Sequence, residues 1–332
     1  MKKNIICLLI FFTLFSLTAQ PASEKGPVAV VDQLGREVSI SSEPHKIVSG
    51  YYISSSACIA LGLSDNIVAI EAQGNKRPIY SLARPDMIKL PNVGTAKAFD
   101  LETCLKVEPD LVILPAKQKN TAKILTEMGI PAIVVNPESH EQIIEMFNLI
   151  GKATGKTKEA KKLISYYQDK LDFVAKKASK ASIKPVVYMC GTGSYLTTSP
   201  KDMYQGSLIE SAGAVNAGSS IKGSSWAEIS YEQLIVMNPD IIIIPTNNNA
   251  NGTPDFSAST IVNDPQLKSL TAVKNNAIYQ MPVGYEAWDS PVPSGILGAL
   301  WMLKTVHPEM YSNEAFEKDV KDFYSTFYGF EK

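Results

Sequence analysis

Arginine and histidine are scarce in this chain. Of 32 basic residues only Arg36, Arg77 and Arg84 are arginine, and the three histidines, His45, His140 and His307, stand far apart. None falls in a spacing such as His-x-x-x-His, so the clustered ligands that a bare Zn²⁺ or Mn²⁺ carrier needs are missing. Cysteine is scarce too: four residues and no Cys-x-x-Cys exclude a disulfide scaffold. Charge of one sign is not in excess, with 32 basic against 33 acidic residues, which argues against a nucleic-acid partner. No Gly-x-Ser-x-Gly elbow occurs, and Gly191-Thr192-Gly193 meets Leu196 where a dinucleotide fingerprint places its third glycine. These absences leave no sign of an enzyme, a resident metal or a cofactor.

Long apolar runs are also lacking. The most apolar, Ile5–Leu17, is shorter than the roughly 20 residues of a spanning helix. Lys2 and Lys3 precede it and Thr18-Ala19-Gln20-Pro21-Ala22 follow, the order of a cleavable signal peptide over residues 1–20. Cys7 lies inside that run and the next cysteine is Cys58, so no lipidation site is seen. An exported, periplasmic chain is expected. Cys58, Cys104 and Cys190 cannot all pair and read as small buried hydrophobes.

What is present is an ordinary globular composition, 45% hydrophobic and 20% charged over 332 residues, enough for two domains. One segment recurs. DLETCLKVEPDLVILP (Asp100–Pro115) and SYEQLIVMNPDIIIIP (Ser230–Pro245) align without a gap at an offset of 130 residues. Each opens on an N-cap residue, Asp100 or Ser230, and Gln233 completes a capping box with Ser230. Each helix stops before a proline, Pro109 or Pro239. The strands that follow, Leu111–Leu114 and Ile241–Ile244, are wholly apolar and so covered on both faces, as in a parallel sheet between helices. Further strands are expected at Lys46–Ser49, Ile67–Ile70, Pro185–Met189 and Ala277–Gln280, and helices at Cys58–Leu63, Leu208–Ala212 and Gly295–Lys304. Between the halves, Ala160, Leu163, Ile164, Tyr167, Leu171, Val174 and Ala178 mark one face of a single helix over Lys156–Lys180. The reading is an α/β chain of two Rossmann-like lobes with central parallel sheets, joined by one long interlobe α-helix. Its parts are residues 21–154, 155–182 and 183–332.

With these paired segments and the bridging helix, the chain resembles the class III periplasmic binding proteins for vitamin B12, haem and ferric siderophores. The resemblance runs from about Lys46 to Met281. It implies a ligand cleft between the lobes, delivery to an ABC permease with its ATPase, and no catalysis. It also implies that Glu102 and Glu232, at matching positions of the two repeated helices, dock onto arginines of the permease. First-turn carboxylates are favoured there locally as well, by complementing the helix dipole.

Ligands of open α/β sheets bind beyond the carboxyl ends of the strands. That rule selects Tyr51 and Tyr52 after the first strand, Arg77 and Arg84 after the second, and Lys117, with Gln118 and Lys119, after Leu111–Leu114. In the second half it selects Tyr195, Asn247–Asn249, the loop Gly223-Ser224-Ser225-Trp226, Tyr285 and Trp288. Aromatic faces with planar guanidinium forks suit an anionic metal chelate, a ferric siderophore first, with a corrinoid or haem as the alternative. Arg84 is expected to dominate electrostatically and Trp288 by packing, while Trp301 reads as core. Glu286 and Asp289 either ligate metal or brace their loop.

Overall fold

The computed structural model describes residues 26–191, 193–245, 256–282 and 284–330; the expected signal peptide and Asn247–Asn249 lie outside them. The chain enters through a hairpin of β1 (Val28–Val31) and β2 (Glu37–Ile40), which the sequence reading did not anticipate. Asp32, 5% exposed, locks its turn, accepting from the backbone of Leu34, Arg36 and Val134 and from the Arg36 guanidinium. Arg36 is thereby a structural cation.

The N-terminal lobe runs β3 (Ile47–Ser49), α1 (Tyr52–Ala60), β4 (Ile67–Ala69), α2 (Pro78–Ala83), α3 (Leu101–Lys106), β5 (Leu111–Pro115), α4 (Lys119–Glu127), β6 (Ala132–Val135) and α5 (His140–Ala153). Its parallel sheet has the order β4-β3-β5-β6. Every residue of β3, β5 and β6 is buried, as strands covered on both faces must be. Asp100 caps α3 by accepting from the Thr103 N–H, as expected from the sequence.

The bridging helix α6 (Thr157–Ala178) follows within two residues of the expected bounds. Ala160, Leu163, Tyr167, Val174 and Ala178 are its buried side chains, five of the seven apolar positions read as its inner face. It packs against α5 of the first lobe and against two helices of the second.

The C-terminal lobe runs β7 (Val186–Met189), β8 (Thr197–Thr198), α7 (Tyr204–Ser211), β9 (Val215–Asn216), β10 (Ala227–Glu228), α8 (Tyr231–Met237), β11 (Ile241–Ile244), α9 (Ala258–Asn263), α10 (Thr271–Lys274), β12 (Ile278–Gln280), α11 (Gly295–Val306) and α12 (Asn313–Phe327). Its parallel sheet has the order β12-β11-β7-β9. Counted within each lobe, both sheets read 2-1-3-4, so the internal repeat extends to topology. The partners of α6 here are α7 and α11. Among the described residues no helix is long and apolar enough to cross a membrane. Cys58, Cys104 and Cys190 are free and buried; burial pushes the Cys58 thiol up to about 12 and the Cys104 thiol up to about 11.

Candidate functional site

In the first sheet β3 lies between β4 and β5, so the chain reverses direction across the sheet at the carboxyl ends of β3 and β5. That is the crevice where α/β sheets receive ligands. Tyr51 leaves β3 there and caps α1 with extended backbone (φ −152°). Lys117 leaves β5 there. A cavity of about 530 Å³ opens beyond them, lined by Tyr51, Lys117, Lys119, Asn136 and Glu138 of the first lobe and Ser224 of the second. The cleft thus carries two lysines and one carboxylate. Burial raises the Glu138 carboxyl, while the Tyr204 backbone N–H and Lys117 pull it back down.

Tyr51 meets Tyr52 edge to face at 5.3 Å, and Tyr52 opens onto a second, much smaller chamber of about 20 Å³. Its lining includes Tyr52, Ser56 and Arg77 from the first lobe and Tyr285 and Glu286 from the second. The Arg77 guanidinium lies 4.1 Å over the Tyr52 ring, and its Nε donates to Glu71 at 3.2 Å. Glu71 is buried and also accepts from Ser55 and Tyr80. Arg77 is therefore aimed by a buried counter-charge and an aromatic face. The Tyr52 hydroxyl donates to Ser290 across the lobes at 3.1 Å.

Tyr51, Tyr52, Arg77, Lys117 and Tyr285 line these two cavities. Trp226 is half-buried against the end of β7, its indole 3.0 Å from where a Cβ on Gly191 would stand.

Three other candidates are placed differently. Arg84 turns away from the cleft: its guanidinium donates to the carbonyls of Ser64 and Ile67, at the amino end of β4, and pairs with Asp86. It fastens a loop under the sheet, because the chain after β4 winds back through α2 before reaching Arg84. Trp288 is 1% exposed; its Nε1 donates to Tyr324 at 3.0 Å and its ring meets Phe316 edge to face. It is a core residue, and the expectation that it dominates ligand packing is corrected. Tyr195 donates its hydroxyl to Asp264 at 2.8 Å, beside Tyr231, and lines neither cavity.

Glu286 is buried, accepts from Tyr328 at 2.8 Å, and is raised by burial while Ser294 and Ser56 pull it down. That is the bracing role. Lys119 and Ser224, within the segments selected from sequence, also line the larger cavity; Glu138 and Glu71 were missed. Glu138 follows β6, whose four-residue run Ala132–Val135 carries no repeat or cap to mark it as a strand, so the strand-end rule does not reach it from sequence. Among the described residues no cluster of three or more His, Cys, Asp or Glu could hold a bare metal ion.

Two α/β lobes of matching topology, a bridging helix and a ligand-sized crevice between the lobes define a solute-binding protein. The chain belongs to the Periplasmic binding protein family, whose model matches residues 47–284. It is 23% identical to the molybdate-binding protein MolA of Haemophilus influenzae, over 97% of this chain and 95% of that one. It is 26% identical to the petrobactin-binding protein YclQ of Bacillus subtilis, over 84% and 90% of the two chains. Among solved structures, a periplasmic solute-binding protein from Veillonella parvula superposes with a TM-score of 0.79 at 28% identity, over 92% of this chain and 94% of that one. Molybdate-bound MolA superposes equally well, with a TM-score of 0.79 at 20% identity, over 92% and 98%.

Proposed function

We propose that this chain is the exported receptor of an ABC importer and that it captures an anionic metal chelate, a ferric siderophore first. The observation that carries the reading is the cavity of about 530 Å³ with Tyr51, Lys117 and Lys119 on its walls. Its size lies within the range of about 300–1,000 Å³ typical of small-molecule sites. A bare tetrahedral oxyanion would leave most of it empty. The cations favour negative charge, and Tyr51 offers an aromatic wall to a partly apolar ligand. The names of relatives divide along this line, one binding molybdate, another petrobactin and a third vitamin B12.

Titration of the purified protein with a ferric tris-catecholate, ferric citrate, molybdate and cyanocobalamin tests the ligand class. Binding of the ferric chelates, weakened roughly tenfold or more by Tyr51→Ala and by Lys117→Gln, is the expected result. Binding of molybdate or cyanocobalamin alone would overturn it. On delivery, Glu102 and Glu232 are proposed to meet cationic side chains of the permease. Glu102→Gln with Glu232→Gln should leave chelate affinity unchanged and abolish docking.

A further inference from the structure

Glu102 and Glu232 occupy equivalent places in the two lobes but have different neighbours. At the offset of the repeat, Leu105 matches Ile235 and Lys106 matches Val236. These are the positions three and four residues beyond each glutamate, on the same helix face. On α3, Lys106 reaches back to Glu102 at 2.7 Å, so the carboxylate already has a cation, and Leu105 is half-buried. On α8, Glu232 has no basic partner among the described residues, while Val236 is 84% and Ile235 39% exposed. The C-terminal lobe thus presents an unneutralised carboxylate beside two bare aliphatic side chains.

This face is also tied down by hydrogen bonds at both ends of α8. Ser230 and Gln233 close a capping box at the start of α8. Asn238 ends the helix in the left-handed region at φ 39° and accepts from the Thr271 N–H at 2.9 Å. Beneath it, Asp264 accepts from both Tyr231 and Tyr195. The hydroxyl of Tyr195 is thereby part of the mounting of α8. A surface already held in one conformation loses little entropy when a partner covers it.

Resting on the docking reading, we propose that Glu232, Ile235 and Val236 form the stronger of the two contacts with the permease. They fit a cationic side chain of the permease set beside an apolar one. Glu102 makes the weaker contact, because an incoming cation must displace Lys106. Charge complementarity selects the cation, and the exposed aliphatic pair adds burial of apolar surface that α3 cannot match.

The test is binding of the full chain to the purified permease–ATPase complex in lipid nanodiscs. Glu232→Gln and Val236→Ser should each weaken docking roughly tenfold, and Glu102→Gln only about twofold to threefold. Lys106→Ala should leave docking unchanged or tighten it. All four side chains are exposed, and unchanged thermal melting verifies that the variants fold. Equal losses for the two single glutamate variants, with Val236→Ser docking normally, would overturn the asymmetry but leave the docking role intact. Undiminished docking by Glu102→Gln with Glu232→Gln would instead overturn the docking role itself.

Discussion

Trp288 shows at the residue scale how little a side chain's type reveals about which way it points. Its loop is rich in glycine and proline, which reads as exposed, yet the ring is sealed between α11 and α12. Trp288→Ala should therefore destabilise the fold by about 3–5 kcal/mol, the usual result of emptying a large aromatic site. Urea unfolding measures that loss. Arg84→Gln strands two carbonyls at the start of β4 and should lower stability by about 1–3 kcal/mol, leaving chelate affinity unchanged. His140 adds a pH dependence. Burial holds its ring down to about 4, with Nδ1 against the Tyr167 hydroxyl at 3.0 Å and no partner for Nε2 among the described residues. The unfolded chain takes up that proton near pH 6.5 and the folded chain does not, so stability falls as pH drops from about 6.5 to 4, by about 3 kcal/mol. Chemical denaturation across that window should show the slope, reduced in His140→Gln. Tyr51 and Lys117 were legible because each directly follows a strand, where the backbone fixes the exit direction. Arg84 and Trp288 lie many residues past theirs, and there only tertiary packing decides.

The repeated helix–turn–strand units were legible as elements because an unbroken apolar run between turn signals has few alternatives. The hairpin β1–β2 was not, since its strands are only four residues long and bury just Val30, Val38 and Ile40. Helix α11 was found, but sequence could not explain its second glycine, Gly298. Gly298 faces the Trp288 carbonyl so closely that an added Cβ would collide with it. Alanine normally stabilises a helix relative to glycine by about 1 kcal/mol. Here Gly298→Ala should destabilise instead, by about 1–3 kcal/mol through overpacking, a reversal that thermal melting of the variant will register.

Taken whole, the molecule is expected to resist hinge bending. α6 packs on helices of both lobes, and α12 of the C-terminal lobe braces it, Asp319 pairing with Lys170 of α6 at 2.6 Å. The Tyr52–Ser290 hydrogen bond adds a second tie between the lobes. Closure of only a few degrees is expected on binding. Small-angle scattering with and without a ferric tris-catecholate should show almost no change in radius of gyration; a large fall would refute this.

The buried thiols have a practical consequence. Cys58, Cys104 and Cys190 are sealed from solvent and kept protonated at neutral pH, so alkylating reagents find no native target among them. A cysteine installed at Ser224 and another at Lys119, on facing walls of the cleft, would be the labelling sites of the folded protein. A dye pair there would turn the protein into a ruler for its own gap, with Cys58, Cys104 and Cys190 left in place.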